Sequence, residues 1–446
     1  MTASHGLRRA GRGTRCVALL VALLAAIAAH AVRPVSAQPV APPPPAPAAV
    51  VPDTADDLTV DLVTIGQGDA VWEKFGHNAI VITDRRTGTS VAWNWGIFDF
   101  DQPGFLGRFL KGNMRYRMDG FSAEASLAYY TSANRTVWQQ RLALLPVYKR
   151  KLRALILENA RPENREYTYD YFLDNCSTRV RNLLNEAMGG GLAGWTRHHY
   201  VAESYRSTSQ RLVADNPFTE LGLTMALGVR ADSLLTMWDE AFVPMRLQAR
   251  VRELLVEDGR GGIRPLVSDE RALFTATRPP EAPRPPRLWP WTLAIGMLCA
   301  ALLGWCLYGD LIGSGNARRA LAAFGTAWLL LSGIVGVILL LAATVTGHVY
   351  WQQNPSAYLC SFLALVAAPA YWRVVRRPES SPAWHAVALV APLVAAYAIA
   401  HWWGAPLAAR AAVVSLTVPM HLALVVVIGA KRGQGRRPLV AARDLA

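Results

Sequence analysis

The chain has 446 residues, 52% of them apolar and 17% charged, with 46 Lys and Arg against 32 Asp and Glu for a formal charge of +14. That is too apolar for a disordered chain and for an ordinary water-soluble enzyme, so part of it belongs in lipid. The basic excess lies outside the middle: residues 38–288 carry 30 basic and 29 acidic side chains, which argues against a basic nucleic-acid-binding domain.

Residues 1–37 read as a secretory signal. Arg8, Arg9, Arg12 and Arg15 precede an apolar run from Cys16 to Ala31, and Val35-Ser36-Ala37 supplies small residues for cleavage after Ala37. An uncleaved anchor is the alternative. Residues 38–57 are a Pro-rich spacer.

Residues 58–277 form the domain that carries chemistry. Thr59–Thr64 alternates like a strand. His77 stands at the head of the β-branched run Ala79–Ile82, and Ser90–Trp95 follows a Thr87-Gly88 turn, so a hairpin is expected with His77 near its edge. Further on, Tyr169–Asp174 reads as extended. From Asn175 the spacing turns helical, with Val180, Leu183, Leu184 and Ala187 on one face and a stop at Gly189-Gly190-Gly191. Asp174 or Asn175 would cap that helix, which places Cys176 in its first turn. There the helix dipole and free N–H groups favour a thiolate.

Cys176 is the one cysteine of the exported region, so an internal disulfide is excluded and the thiol is either inert or a nucleophile. Of the nearby histidines, His77 is the candidate base and His198-His199 a surface pair. A base on a strand edge facing a nucleophile at a helix start is the papain-like arrangement, here permuted because His precedes Cys. Asn94 and Asp99 could orient His77. A metal is not expected: HExxH is absent and no second cysteine could join a ligand set. Residues 242–256, with Arg246, Arg250 and Arg252 beside Leu247 and Val251, read as an amphipathic surface helix.

After a Pro/Arg linker at 278–288, five apolar stretches follow, at about 289–308, 320–343, 357–371, 384–401 and 411–430, each near the ~20 residues that cross a bilayer except the short third. The loops at 309–319, 372–383 and the basic tail 431–446 hold ten Lys and Arg; those at 344–356 and 402–410 hold one. The positive-inside rule therefore puts 58–277 and the loop with His348 on the same extracytoplasmic side of a multi-pass cytoplasmic (inner) membrane protein.

The motifs Phe75-Gly76-His77-Asn78-Ala79, Asn94-Trp95-Gly96-x-Phe98-Asp99-Phe100 and Asp174-Asn175-Cys176-Ser177-Thr178-Arg179-x-Arg181, in that order, resemble the extracytoplasmic domain of the bacterial Lnb-type lipoprotein N-acyltransferases. Tyr116, Arg135 before Trp138-Gln139, Phe242-Val243-Pro244, and Gly347-His348 with Asn354 extend the likeness. The resemblance implies an α+β, permuted papain-like (NlpC/P60-like) domain followed by a five-helix transmembrane bundle. It implies transfer of a fatty acyl chain from a phospholipid to the α-amino group of a diacylated lipoprotein, with no cofactor. Cys176 would be the nucleophile and His77 the base. Asn94, Asp99, Asn175 and Ser177 would orient or hold the oxyanion, and Arg179, Arg181, Tyr116, His348 and Asn354 would touch substrate. The competing readings are a cysteine peptidase or amidase acting on cell-wall peptide, and a non-catalytic envelope protein that binds lipid or a partner.

Overall fold

The computed structural model describes residues 57–98, 104–378 and 407–441. They form two compact units, one with the described residues of 57–215 and 231–285, the other with those of 216–230 and of 286–441.

The first unit is a mixed α/β domain on one antiparallel sheet. Its strands are β1 (Leu58–Ile65), β2 (His77–Asp84), β3 (Thr89–Ile97), β4 (Met114–Ser122), β5 (Val137–Leu142), β6 (Glu166–Tyr169) and β7 (Val267–Phe274), in the order β7-β5-β1-β2-β3-β4-β6. The expected β2–β3 hairpin is present, pairing Asp84 with Thr89 and Ala79 with Asn94. The expected extension to Asp174 stops short: β6 ends at Tyr169, and Asp170 folds back on Asp174 in a turn whose Oδ1 accepts from Phe172 and Leu173 N–H.

Side chains alternate across the sheet with the two-residue strand period. Leu58, Val60, Leu62, Ile80 and Ile82 face one way and bury against α1 (Pro146–Asn159), α2 (Cys176–Ala187) and α3 (Pro244–Glu253). In α3, Leu247 and Val251 are fully buried in this core while Arg250 and Arg252 pair with Glu240 and Glu270. Val63, Ile65, Val81, Ala92 and Val137 face the other way, beneath the helix Ala123–Ser132.

The second unit is helical. Among the described residues, four of its segments are long and apolar enough to cross a membrane: Trp289–Leu311, Gly315–Thr344, Ser356–Arg376 and Ala408–Gln434. The stretch 384–401 read from the sequence lies outside the described residues. The short third stretch contains a break at Cys360, between helices Ser356–Leu359 and Leu363–Arg376. Small residues let backbones approach there: a Cβ at Gly336 would lie 2.0 Å from the Cys360 carbonyl oxygen, and one at Gly325 would strike the Tyr371 ring. A buried Asp310 carboxylate pairs with Lys431 and Arg318.

Candidate functional site

The start of the helix at Cys176 is set by its neighbours. Asn175 is the cap: its Oδ1 accepts from Ser177 and Thr178 N–H, both at 2.9 Å, and its own N–H donates to Thr178 Oγ1 at 2.7 Å. The Asn175 amide donates to the Tyr171 and Phe242 carbonyls, and Ser177 Oγ donates to Ala241 O at 2.7 Å. The side chains of Asn175 and Ser177 are thus spent fixing the helix mouth against the 241–242 segment.

Cys176 is buried at this mouth, at 7% exposure. The backbone N–H groups of Asn78 and Ser177 act on the thiol electrostatically, favouring its anion. Asn78 lies one residue beyond the last β2–β3 pair and is the immediate neighbour of His77. On the other side, Gly96 sits at a register shift in β3 with φ +89°, where a Cβ would stand 3.5 Å from both Cys176 Cβ and the Tyr169 ring. That bulge lets the strand pass the nucleophile closely.

His77 is held by Asn94. The Asn94 amide nitrogen donates to Ala92 O at 3.0 Å, which turns its Oδ1 toward His77 Nε2, also at 3.0 Å. An acceptor opposite Nε2 requires that nitrogen to carry the proton, so Nδ1 is the ring atom able to take another. Asp99, the other orienting candidate, lies outside the described residues.

The electrostatics differ from the sequence expectation of a resting thiolate. Burial pushes the Cys176 thiol up in spite of the neighbouring backbone N–H groups and the Arg135 charge. Burial likewise brings His77 down to about 4, against the Asn94 bond and with help from Arg135. At neutral pH the two groups are a neutral thiol and a neutral imidazole. The helix mouth stabilises an anion, but less than burial opposes one.

Arg135 stands out only in the folded domain. It is 4% exposed, its Nε donates to Gly66 O at 3.0 Å, Nη1 reaches Glu73 at 3.4 Å, and its guanidinium lies 5.4 Å from the Tyr130 ring centre. Tyr130 in turn packs on His77, ring centres 6.0 Å apart. The basic residue before Trp138-Gln139 was visible in the sequence, but nothing in its spacing tied it to His77.

The other predicted substrate residues are dispersed. Tyr116 stacks on Tyr169 at 4.1 Å between ring centres, and its hydroxyl is pushed up to about 12 by burial; it is Tyr169 that lies with Cys176 beside Gly96. Arg179 forms a two-pronged ion pair with Asp174 and lies over Tyr167. Arg181 is buried, stacked on Trp238 at 3.9 Å and bonded to that residue's carbonyl. His199 is exposed. His348 and Asn354 belong to the helical unit, where His348 stacks on Trp351 at 4.0 Å and the Asn354 amide donates to the Met225 and Ala226 carbonyls. Among the described residues no three His, Cys, Asp or Glu gather as a metal set would.

A family model described as the Lnb N-terminal periplasmic domain matches residues 53–210, and one described as the Lnb transmembrane domain matches residues 292–432. Together they cover about two thirds of the chain. No curated protein and no solved structure matches it.

Proposed function

Because the chain belongs to the Lnb family, a periplasmic domain joined to a transmembrane domain in lipoprotein maturation, we propose that it is a thiol-dependent acyltransferase acting from phospholipid onto diacylated lipoproteins. The observation that carries this reading is Cys176 buried in the first turn of a capped helix against the sheet whose strand β2 begins at His77, a histidine bonded by Asn94. A nucleophile at a helix mouth packed on an antiparallel sheet, with its base at the head of a strand, also supports the permuted papain-like arrangement.

With both groups neutral at rest, proton transfer and attack go together. His77 Nδ1 takes the thiol proton as Cys176 Sγ bonds to the ester carbonyl carbon of the donor. The carbonyl oxygen becomes an oxyanion, for which the backbone N–H of Cys176 is the helix-mouth donor not already given to Asn175. Collapse breaks the ester C–O bond, and the imidazolium returns its proton to the leaving alkoxide, giving a lysophospholipid and an acyl-thioester. The α-amino group of the lipoprotein cysteine then attacks the thioester carbonyl and yields its proton to His77. Expulsion of sulfur forms the amide, and the proton returns to Cys176. Asn94 keeps Nδ1 available in both halves.

The test is mass spectrometry of lipoproteins from cells that depend on this chain. The native protein is expected to give an amide-linked third acyl chain and the Cys176→Ala protein, present at equal level, none. A Cys176→Ala protein that still supports N-acylation would overturn the proposal, as would loss of wall-peptide cleavage with N-acylation intact.

A further inference from the structure

The chain turns sharply between the helix Ala123–Ser132 and β5: Asn134 takes φ +50°, and the Arg135 N–H donates back to the Tyr130 carbonyl at 3.0 Å. Arg135 is thereby carried to the Tyr130 ring, with its guanidinium carbon 5.4 Å from the ring centre. The same guanidinium reaches two further segments. Nε donates to Gly66 O at 3.0 Å, and Gly66 follows Ile65, the residue that β1 pairs with His77. Nη1 reaches Glu73, whose carbonyl accepts from the N–H of Gly76, the residue before His77. Tyr130 packs on the imidazole itself, ring centres 6.0 Å apart. One side chain thus ties together the end of β1, the loop that enters β2 and the ring beside His77. Nη2 is buried without an acceptor among the described residues. A buried cation that is incompletely bonded costs stability, so a brace alone would be served as well by an apolar side chain.

We infer that Arg135 is a positioning residue for His77, steadying the imidazole through the Tyr130 ring and setting a fixed positive charge beside the base, an inference that rests on the acyl-transfer reading. Asn94 bonds one ring nitrogen and Tyr130 packs against the ring, so fixing Tyr130 removes a swing that a single hydrogen bond allows. The charge works in the direction the first step needs. It opposes a proton on resting His77 and favours the anion at Cys176, which keeps the base free and eases loss of the thiol proton. Glu73 offsets part of that charge. The phenols of Tyr129 and Tyr130 beside Arg135, and those of Tyr167 and Tyr169 around Cys176, stay neutral because burial raises them. Arg135 is thus the charge that acts on both groups, and its loss should raise the proton affinity of each.

The test is the pH profile of Cys176 alkylation by iodoacetamide in the full chain in phosphatidylglycerol and phosphatidylethanolamine vesicles. Peptide mass spectrometry reads the product at Cys176 alone, apart from Cys299, Cys306 and Cys360. The profile has one inflection from His77 and one from the thiol. In Arg135→Gln both should move to higher pH, by about one pH unit. Arg135→Lys keeps the charge and should leave both near their native positions while losing part of the rate with the fork. Inflections that stay in place in Arg135→Gln, whatever its melting temperature, overturn the inference and leave Arg135 a structural brace. Where Arg135→Gln misfolds, Glu73→Gln decides: with the counter-charge gone, both inflections should move to lower pH, and inflections that do not move overturn the inference. Because the readout needs no acyl transfer, the two readings fail separately. Shifted inflections in a chain whose native form makes no acyl-thioester from phospholipid would sink the acyltransferase and keep the hold of Arg135 on His77. Normal thioester formation with unmoved inflections would sink the inference alone.

Discussion

His77 with Asn94 and His348 with Asn354 are the same two residue types, each pair buried or half-buried, and each picked out by sequence. Their bonding separates them. Asn94 turns its carbonyl oxygen to a histidine ring and leaves that ring one basic nitrogen. Asn354 spends its amide on the Met225 and Ala226 carbonyls and its oxygen on Ser356 N–H, while His348 lies flat on Trp351. One amide sets a tautomer; the other stitches the segment Asn216–Arg230 to the loop after Thr344. A motif reports residue types, but the partner of the amide decides which work is done.

The largest effect should come from the first pair's nucleophile. Cys176→Ser is expected to lower acyl transfer at least ~10³-fold, because a buried hydroxyl is a far poorer nucleophile and the pair acts as a unit. Single-turnover thioester formation, read by intact-protein mass, checks it. Next is the pH dependence that His77 gives to the fold. Its affinity for a proton falls from 6.5 to about 4 on folding, so between those values the unfolded chain binds a proton that the folded domain refuses. Stability from this source is complete above about pH 6.5 and is lost as pH falls toward 4, by of the order of 3 kcal/mol. His77→Gln should melt with a shallower decline between pH 7 and 5 than the native chain; parallel declines would contradict the burial argument.

How far the sequence could be read follows from the same distinction. The strand–hairpin block and the helix at Cys176 were legible because period-two and helical spacing, a capping Asn and a Gly-rich stop are local signals. The neutrality of the thiol was not. A helix mouth is visible in sequence, whereas the Tyr169 ring, the Gly96 bulge and the core cluster that remove water from Cys176 are assembled from segments far apart in the chain. Arg135 is legible in the sequence only as part of a motif for the same reason: its approach to Gly66, Glu73 and Tyr130 is a product of β5 pairing with β1. The amphipathic pattern of residues 242–256 holds over the helix Pro244–Glu253, whose apolar side faces the core.

The two amides give the sharpest contrast. Asn94→Ala frees Nε2 and lets the ring exchange tautomers and swing, so kcat should fall about 10- to 100-fold with a small change in melting temperature. Asn94→Asp keeps an acceptor at 3.0 Å and should recover most of the rate with its pH profile moved upward, since a carboxylate beside His77 favours the imidazolium. Asn354→Ala removes two donors to buried carbonyls and should cost about 2 kcal/mol of stability in the helical unit. Around it, Gly228 N–H donates to Tyr350 O at 2.7 Å, and a Cβ at Gly228 would lie 1.8 Å from the Gln352 oxygen, so Gly228→Ala should share that loss. Both variants should retain kcat measured below their melting temperatures. If Asn354→Ala instead lost rate at unchanged stability, its amide would be serving substrate as Asn94 serves His77, and the division drawn between the two pairs would fail.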